Sequence, residues 1–231
     1  RPQLLSICSP TAMRRQSIEL AAKYGVDIIY CEKPLAEDYD EARSLAALCR
    51  DKGIRVAVNY HRRWSPLINK VRGILAKGGL GAVQHVTLSY CTGVINDATH
   101  LFDLVRYLLG EFEWVRGEVM DRCGRPDDDP NIYGLFCLKS GSTGSLHAYD
   151  RRCYNIFEMD IVGTEGRLRS QNHMRAFELF MPGRDVEYKG DAYLISQKIF
   201  KEEEPDPDYI SFGLEEVVKS PMGSRCNEED A

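Results

Sequence analysis

Lys33 and His100 are the side chains in this sequence whose settings best suit proton chemistry. The lysine follows the apolar run Val26-Asp27-Ile28-Ile29-Tyr30, which reads as a buried parallel strand, within Tyr30-Cys31-Glu32-Lys33-Pro34-Leu35. In open α/β sheets ligands bind beyond the carboxyl ends of the strands, so Glu32 and Lys33 would present a carboxylate and a cation there. Pro34 disfavours the helical region for Lys33 and biases it toward an extended turn. A Glu-Lys-Pro found alone is more often an ordinary surface loop, so its weight depends on what accompanies it. Further on, Leu101, Leu104, Val105, Leu108 and Leu109 form an apolar stripe at helical spacing, which places His100 at or near a first turn with Asn96 and Asp97 as caps. A helix N-terminus disfavours an imidazolium, which lowers the histidine pKa and leaves a neutral ring able to accept a proton. A single histidine at such a place more often only caps or packs its helix.

The elements that must position these residues follow from periodicity and punctuation. From Arg1 to about Asn59 the pattern is strand, helix, strand, helix, strand, with strands at Leu4 to Cys8, Val26 to Tyr30 and Arg55 to Asn59. Gly25 and Gly53 stop the two helices. Such alternation with short turns predicts a parallel sheet, here the second half of a doubly wound fold. After Trp64-Ser65-Pro66 comes a helix to about Lys77, then mostly strands: Val83 to Tyr90, 112–121, 131–139, 143–150, 156–162, 166–170 and 175–181, interrupted by the helix at Thr99 to Leu109. Phe157-Glu158-Met159-Asp160-Ile161 alternates as a sheet with one covered face should. The expected fold class is α/β, a partial Rossmann-type parallel sheet over 1–62 followed by an α+β domain over 63–231 with a large, mostly antiparallel open sheet.

Composition narrows the function classes. In 231 residues, 43% are hydrophobic and 28% charged, as in globular proteins, and no apolar run approaches the roughly 20 residues a membrane span needs. The net charge is -5 and the pairs Arg14-Arg15, Arg62-Arg63 and Arg151-Arg152 are scattered, so nucleic acid is not an expected partner. Eight cysteines lack Cys-x-x-Cys spacing; several (Cys8, Cys31, Cys49, Cys137) fall in apolar segments and read as buried thiols of a reducing, cytoplasmic setting, and no metal site is expected. Pro126-Asp127-Asp128-Asp129-Pro130 and the acidic stretch Glu202 to Asp208 read as solvated loops. His85, His147 and His173 sit in strand-like segments without partner spacing and are given no site.

Taken in order, Glu-Lys-Pro after a strand, His61-Arg62-Arg63-Trp64-Ser65-Pro66 after the next, Asn96-Asp97-Ala98-Thr99-His100 opening a helix, and Val162-Gly163-Thr164-Glu165-Gly166 between strands resemble the Gfo/Idh/MocA oxidoreductase family. The resemblance implies a Rossmann domain for NAD or NADP, a C-terminal open-sheet domain, and oxidation or reduction at a hydroxyl carbon of a sugar, cyclitol or related compound. It implies Lys33 beside the nicotinamide and the reacting hydroxyl, with Glu32 in the same motif, and His100 in proton transfer. Asn96 stands where many members carry Asp, with Asp97 next to it, and both are expected to contact substrate. Ser9-Pro10-Thr11 matches the turn flanking the nicotinamide, although starting a helix would explain it equally well, and Arg14 stands where a histidine is often found. Arg63 matches the arginine of an Arg-aromatic-x-Pro pattern and is expected to bind substrate, with a salt bridge tying the domains as an equal alternative. The resemblance also implies a homo-oligomer, formed through a sheet face from about 131 to 181 apolar enough to pack on another subunit.

No Gly-x-Gly-x-x-Gly follows a strand, and Gly78-Gly79-Leu80-Gly81 follows a helix. The pyrophosphate site and the ribose-binding acid are therefore expected upstream of Arg1. The chain reads as a piece of a longer protein, inactive by itself and without a closing helix before Glu229-Asp230-Ala231. The competing reading is a non-catalytic, cofactor-sensing or interaction protein on the same fold.

Overall fold

The computed structural model describes residues 2–120, 129–184, 192–201 and 208–219. The chain divides into two compact units, Arg1–Ser65 with the C-terminal segment from Asp206, and Pro66–Pro205.

In the first unit, strands β1 (Leu4–Ile7), β2 (Ile28–Cys31) and β3 (Arg55–Val58) form a parallel sheet in sequential order. They pair in step, with Ile7 beside Cys31 and Cys31 beside Val58. Helix α1 (Arg14–Tyr24) and helix α2 (Tyr39–Asp51) provide the connections. Asp38 starts α2 by accepting the Glu41 amide at 2.8 Å, which satisfies one of the donors a helix start leaves open. Both helices turn an apolar edge to the sheet, Ile18 and Ala21 from α1, Leu45 and Cys49 from α2, and these sides share one core with Ile29 and Val58. Fully burying a side chain such as Leu45 contributes about 1.5–3 kcal/mol.

The second unit starts at helix α3 (Pro66–Ala76), whose first residue is a proline with no donor to lose there. Strand β4 (Val83–Tyr90) leads to helix α4 (Thr99–Leu109), followed by β5 (Phe112–Val119), β6 (Ile132–Leu138), β7 (Thr143–Ala148), β8 (Glu158–Gly163), β9 (Arg167–Gln171), β10 (Ala176–Arg184) and β11 (Ala192–Lys201). They make one eight-stranded sheet in the order β11-β10-β9-β8-β4-β7-β6-β5, antiparallel except where β4 meets β7. Leu101, Leu104 and Val105 of α4 and Leu67, Ile68 and Val71 of α3 cover one face, against Val86, Leu88 and Ile161. The fold class therefore stands as expected from the sequence.

Five details differ. The segment 63–231 is not one body. Helix α5 (Tyr209–Lys219) belongs to the first unit, where Val217 enters the core, its carbonyl accepts from Arg55 Nη1 at 3.3 Å, and Gly213 lies against the Trp64 ring. Asp208, expected in a solvated loop, caps that helix through the Ser211 amide at 3.0 Å, while Glu202 to 207 and the end of the chain lie outside the described residues. His173 is not in a strand: Asn172, His173 and Met174 have φ of 51°, 57° and 64° and reverse the chain between β9 and β10. Cys31, Cys49 and Cys91 are buried, whereas Cys8, just past the end of β1, is exposed, and Cys137 is half-buried on the sheet face away from the helices. Finally, the uncovered sheet face is polar at its centre. His85, Thr87 and Ser145 lie there, with Asp160 gripped by Arg167 Nε at 2.9 Å, and the exposed Trp114, Tyr133 and Leu135 lie on its flank. The strand alternation that buries Phe157, Met159 and Ile161 must send the intervening polar residues to that face.

A Cβ placed on Gly213 would come within 2.7 Å of the Trp64 ring. Gly213→Val should therefore destabilise the first unit by about 1–3 kcal/mol, read as a lower thermal midpoint; an unchanged midpoint would contradict the packing of α5 on Trp64.

Candidate functional site

The carboxyl ends of β1, β2 and β3 emerge side by side, so the turns after them line one crest, where a parallel sheet offers its ligand-binding edge. Ser9, Pro10 and Thr11 follow β1, and Thr11–Met13 forms a 3-10 turn into α1. Glu32 and Lys33 follow β2, and the Lys33–Pro34 peptide is cis. His61 follows β3 in a second 3-10 turn, His61–Trp64. The structure thus brings together Ser9, Pro10, Thr11, Glu32 and Lys33. Arg63 lies in the His61 turn but is 4% exposed and buried with Trp64.

The crest is held by a network that sequence patterns did not reveal. Asn59, 3% exposed, donates from Nδ2 to Glu32 Oε1 at 2.5 Å and accepts from the Tyr30 hydroxyl at 2.8 Å. The Asn59 amide also donates to the Cys31 carbonyl at 2.7 Å, and the Glu32 amide to the Ile7 carbonyl at 2.9 Å, which carries the ladder past the strand ends. Glu32 is thereby fixed immediately before Lys33. The Tyr30 ring in turn meets Trp64 with centroids 5.9 Å apart.

Two crest groups have altered protonation. Burial pushes the Cys31 thiol up to about 12, which leaves it an unreactive thiol. His61 is brought down to about 4, first by burial and then by the charges of Arg62 and Lys33, so its ring is neutral at pH 7. It stacks on Tyr209 at 5.9 Å between centroids and 17° between planes. His61 was visible only as part of its motif. The electrostatic proximity to Lys33 exists only because the β2 and β3 ends coincide.

In the second unit, Val94–Ala98 forms a wide, π-type turn that runs directly into α4, with the Ala98 amide reaching the Gly93 carbonyl at 3.3 Å. Such turns recur at functional sites. His100 lies in the first turn of α4, buried at 7% exposure, while Asn96 is exposed. Neither Asn96 nor Asp97 caps the helix as expected. The Asp97 carboxylate turns back to accept from the Thr92 hydroxyl at 2.7 Å and the Thr92 amide at 3.3 Å, so its bonds hold its own turn. Asn96 and His100, four residues apart, share one side of the helical segment. A cavity of about 480 Å³ lined by Val94, Phe102, Phe112 and Phe136 is apolar and contains none of the expected site residues. Among the described residues no group of three or more His, Cys, Asp or Glu is placed to hold a metal ion, and no helix is long and apolar enough to cross a membrane.

The turn after β1 carries buried polar atoms suited to a polar ligand group. Ser9 Oγ and Arg14 Nη1 are buried and make no hydrogen bond to the described residues, while Arg14 Nε is tied to the Ser9 carbonyl at 3.2 Å. Buried polar atoms of this kind normally find partners, so polar groups of a ligand at this turn would be matched by existing donors.

Comparison with known proteins agrees with this layout. Residues 1–60 match the model of the oxidoreductase family with an NAD-binding Rossmann fold, and residues 92–169 that of the GFO/IDH/MocA C-terminal domain. The chain belongs to the Gfo/Idh/MocA family. It is 32% identical over 186 residues to the inositol 2-dehydrogenase of Rhizobium meliloti, covering 72% of this chain and 56% of that protein. An NAD binding oxidoreductase from Klebsiella pneumoniae superposes with a TM-score of 0.80 at 18% identity, over 99% of this chain and 73% of the other. Levoglucosan dehydrogenase in complex with NADH and levoglucosan gives 0.69 at 21%, over 84% and 60%. At these identities the structural likeness is one of fold. The chain spans about half the length of the curated relatives it matches.

The depressed His61 pKa makes stability depend on pH. Folded His61 titrates near 4 and unfolded histidine near 6.5, so the unfolded chain binds the extra proton as pH falls through that window. Stability should be full above pH 6.5 and fall by up to about 3 kcal/mol toward pH 4 from this group. Chemical denaturation of His61→Gln across that range should show a flatter acid limb, and an identical limb would contradict the buried neutral ring.

Proposed function

We propose that this protein is an oxidoreductase that transfers hydride between NAD(H) and a hydroxyl carbon of a sugar, cyclitol or related compound. The observation that carries the reading is Lys33 at the carboxyl crest of the parallel sheet, next to a Glu32 held by Asn59. The names of the inositol and levoglucosan relatives support the substrate class, and the NADH of the levoglucosan dehydrogenase complex supports NAD rather than NADP.

A nicotinamide bound at the crest would supply the hydride chemistry. Ser9, Pro10 and Thr11 would hold it, with Arg14 adding donors at the same turn, and Glu32 orients Lys33. Lys33 donates a hydrogen bond to the reacting oxygen and stabilises its charge as the proton leaves. His100 is assigned the proton transfer to and from the substrate hydroxyl. Asn96 contacts a neighbouring hydroxyl, Asp97 keeps Asn96 in place through Thr92, and Arg63 acts through the His61–Trp64 turn. The protein works in the cytoplasm as a homo-oligomer, paired through the apolar flank of the uncovered sheet face at Trp114, Tyr133 and Leu135. Sedimentation of the full-length protein as a monomer alone would argue against that pairing.

In the full-length protein, Lys33→Ala and His100→Ala should each lower kcat by about 10²–10⁴-fold, the usual contribution of positioned proton transfer, while NADH still binds in a fluorescence titration. Wild-type turnover in either variant would remove that residue from the mechanism. Residues 1–231 alone, which hold no glycine-rich pyrophosphate turn after a strand, should bind NADH weakly and show no turnover. Tight binding by this segment would refute the cofactor placement.

A further inference from the structure

We infer that Asp129 and Asn131 are positioning residues for the turn that presents Asn96 and His100, an inference that rests on the oxidoreductase reading above. The helical segment that starts at Val94 has no side-chain cap of its own, and the first amides of any helix lack acceptors within it. Here four successive amides find theirs in residues 129–131. Gly93 N donates to Asn131 Oδ1 at 2.7 Å and Val94 N to the Pro130 carbonyl at 3.0 Å. Ile95 N donates to Asp129 Oδ1 at 2.8 Å and Asn96 N to Asp129 Oδ2 at 3.1 Å. One carboxylate thus serves as the cap, and its charge sits where the helix dipole favours an anion.

Asn131 anchors the clamp. It is fully buried, its Nδ2 donates to the Cys91 carbonyl at 2.9 Å, and its own carbonyl accepts the Met120 amide at 2.8 Å. The clamp therefore ties the strand end at Tyr90–Cys91, the turn, and the start of β6 into one piece. Gly93 permits the approach. Its φ is +86°, and a Cβ there would lie 2.1 Å from Asp129 Oδ2, so any other residue would push the carboxylate off the amides.

The acidic run before Pro130 is accordingly not wholly a solvated loop, because its last aspartate fixes the position of Asn96 directly and that of His100 one turn later. Both clamp residues are assigned a role through the backbone of the turn. Their loss shows as misplacement of the histidine, and displacements of about 1 Å at a reacting centre can cost about 10²-fold in rate.

The test uses the full-length protein, with Asp129→Ala and His100→Ala compared under saturating NAD and an inositol or anhydrosugar substrate, and amide hydrogen exchange followed at residues 95 and 96. Asp129→Ala should expose both amides and lower kcat about 10- to 100-fold, with NADH binding stoichiometry and affinity unchanged, so that a partly unfolded sample is distinguished from a misplaced turn. Unchanged exchange, or a kcat within about twofold of wild type while His100→Ala is impaired, would overturn the clamp and leave the oxidoreductase reading intact. Absence of turnover in the wild-type protein overturns that reading instead, and wild-type turnover in His100→Ala removes only His100 from the mechanism; in either case exchange at 95 and 96 decides the clamp alone. If Asp129→Ala loses stoichiometric binding, Asp129→Asn decides. It removes the charge and turns an NH2 donor toward one of the two amides in place of an acceptor, so at least one amide should exchange faster and kcat should fall, and wild-type values for both would refute the role.

Discussion

Ile7, Cys31 and Val58 stand side by side across three parallel strands, and this in-step pairing is the constraint on which the crest depends. Because the strands end on one line, the residues that follow them meet in one place. A slip of one residue would send Glu32 and Lys33 to the wrong side, since side chains alternate along a strand. Register at strand ends is weakly held by backbone bonds alone. Asn59 strengthens it by bonding the β3 end to both the backbone and the side chain at the β2 end. Inside a protein such a network is stronger than in water and costly to break in part, because the remaining partner would be left buried and unsatisfied.

The second unit solves a different problem. Its helix α4 must start abruptly after a strand, and the local residues suited to capping do not cap. Asp97 is drawn backward to Thr92, so the exposed amides are satisfied from a distant part of the chain. The outcome is a histidine on a helix whose beginning is set by tertiary bonds. This arrangement is more rigid than a frayed first turn and depends on Gly93 for its clearance.

The polar centre of the uncovered sheet face follows from the same economy of alternation. Every strand that buries one set of residues against α3 and α4 must present the other set outward, and here that set includes His85 and His147, both within hydrogen-bond distance of Ser145 Oγ at 3.3 and 3.0 Å. The two histidines are 62 residues apart in the chain, so their shared partner is a product of sheet pairing.

Most elements could be read directly from the sequence, because apolar spacing and glycine or proline punctuation are local signals: β1 to β10 and α1 to α4 lie where these patterns put them. So could the motif residues Lys33 and His100, whose settings at a strand end and a helix start are themselves local. Strand β11 was not legible, because as an edge strand it buries only Phe200 and leaves no alternating pattern. Nor was α5, whose buried side, Gly213 and Val217, carries little hydrophobic signal and finds its partners more than 140 residues earlier, at Trp64 and Arg55. The roles of Asn59, His61, Asp129 and Asn131 arise wholly from contacts across strands and between distant turns. A sequence determines by itself what short-range sterics and periodic burial can enforce, whereas hydrogen bonds and pKa shifts between residues far apart in the chain exist only once it has folded to bring them within a few ångströms.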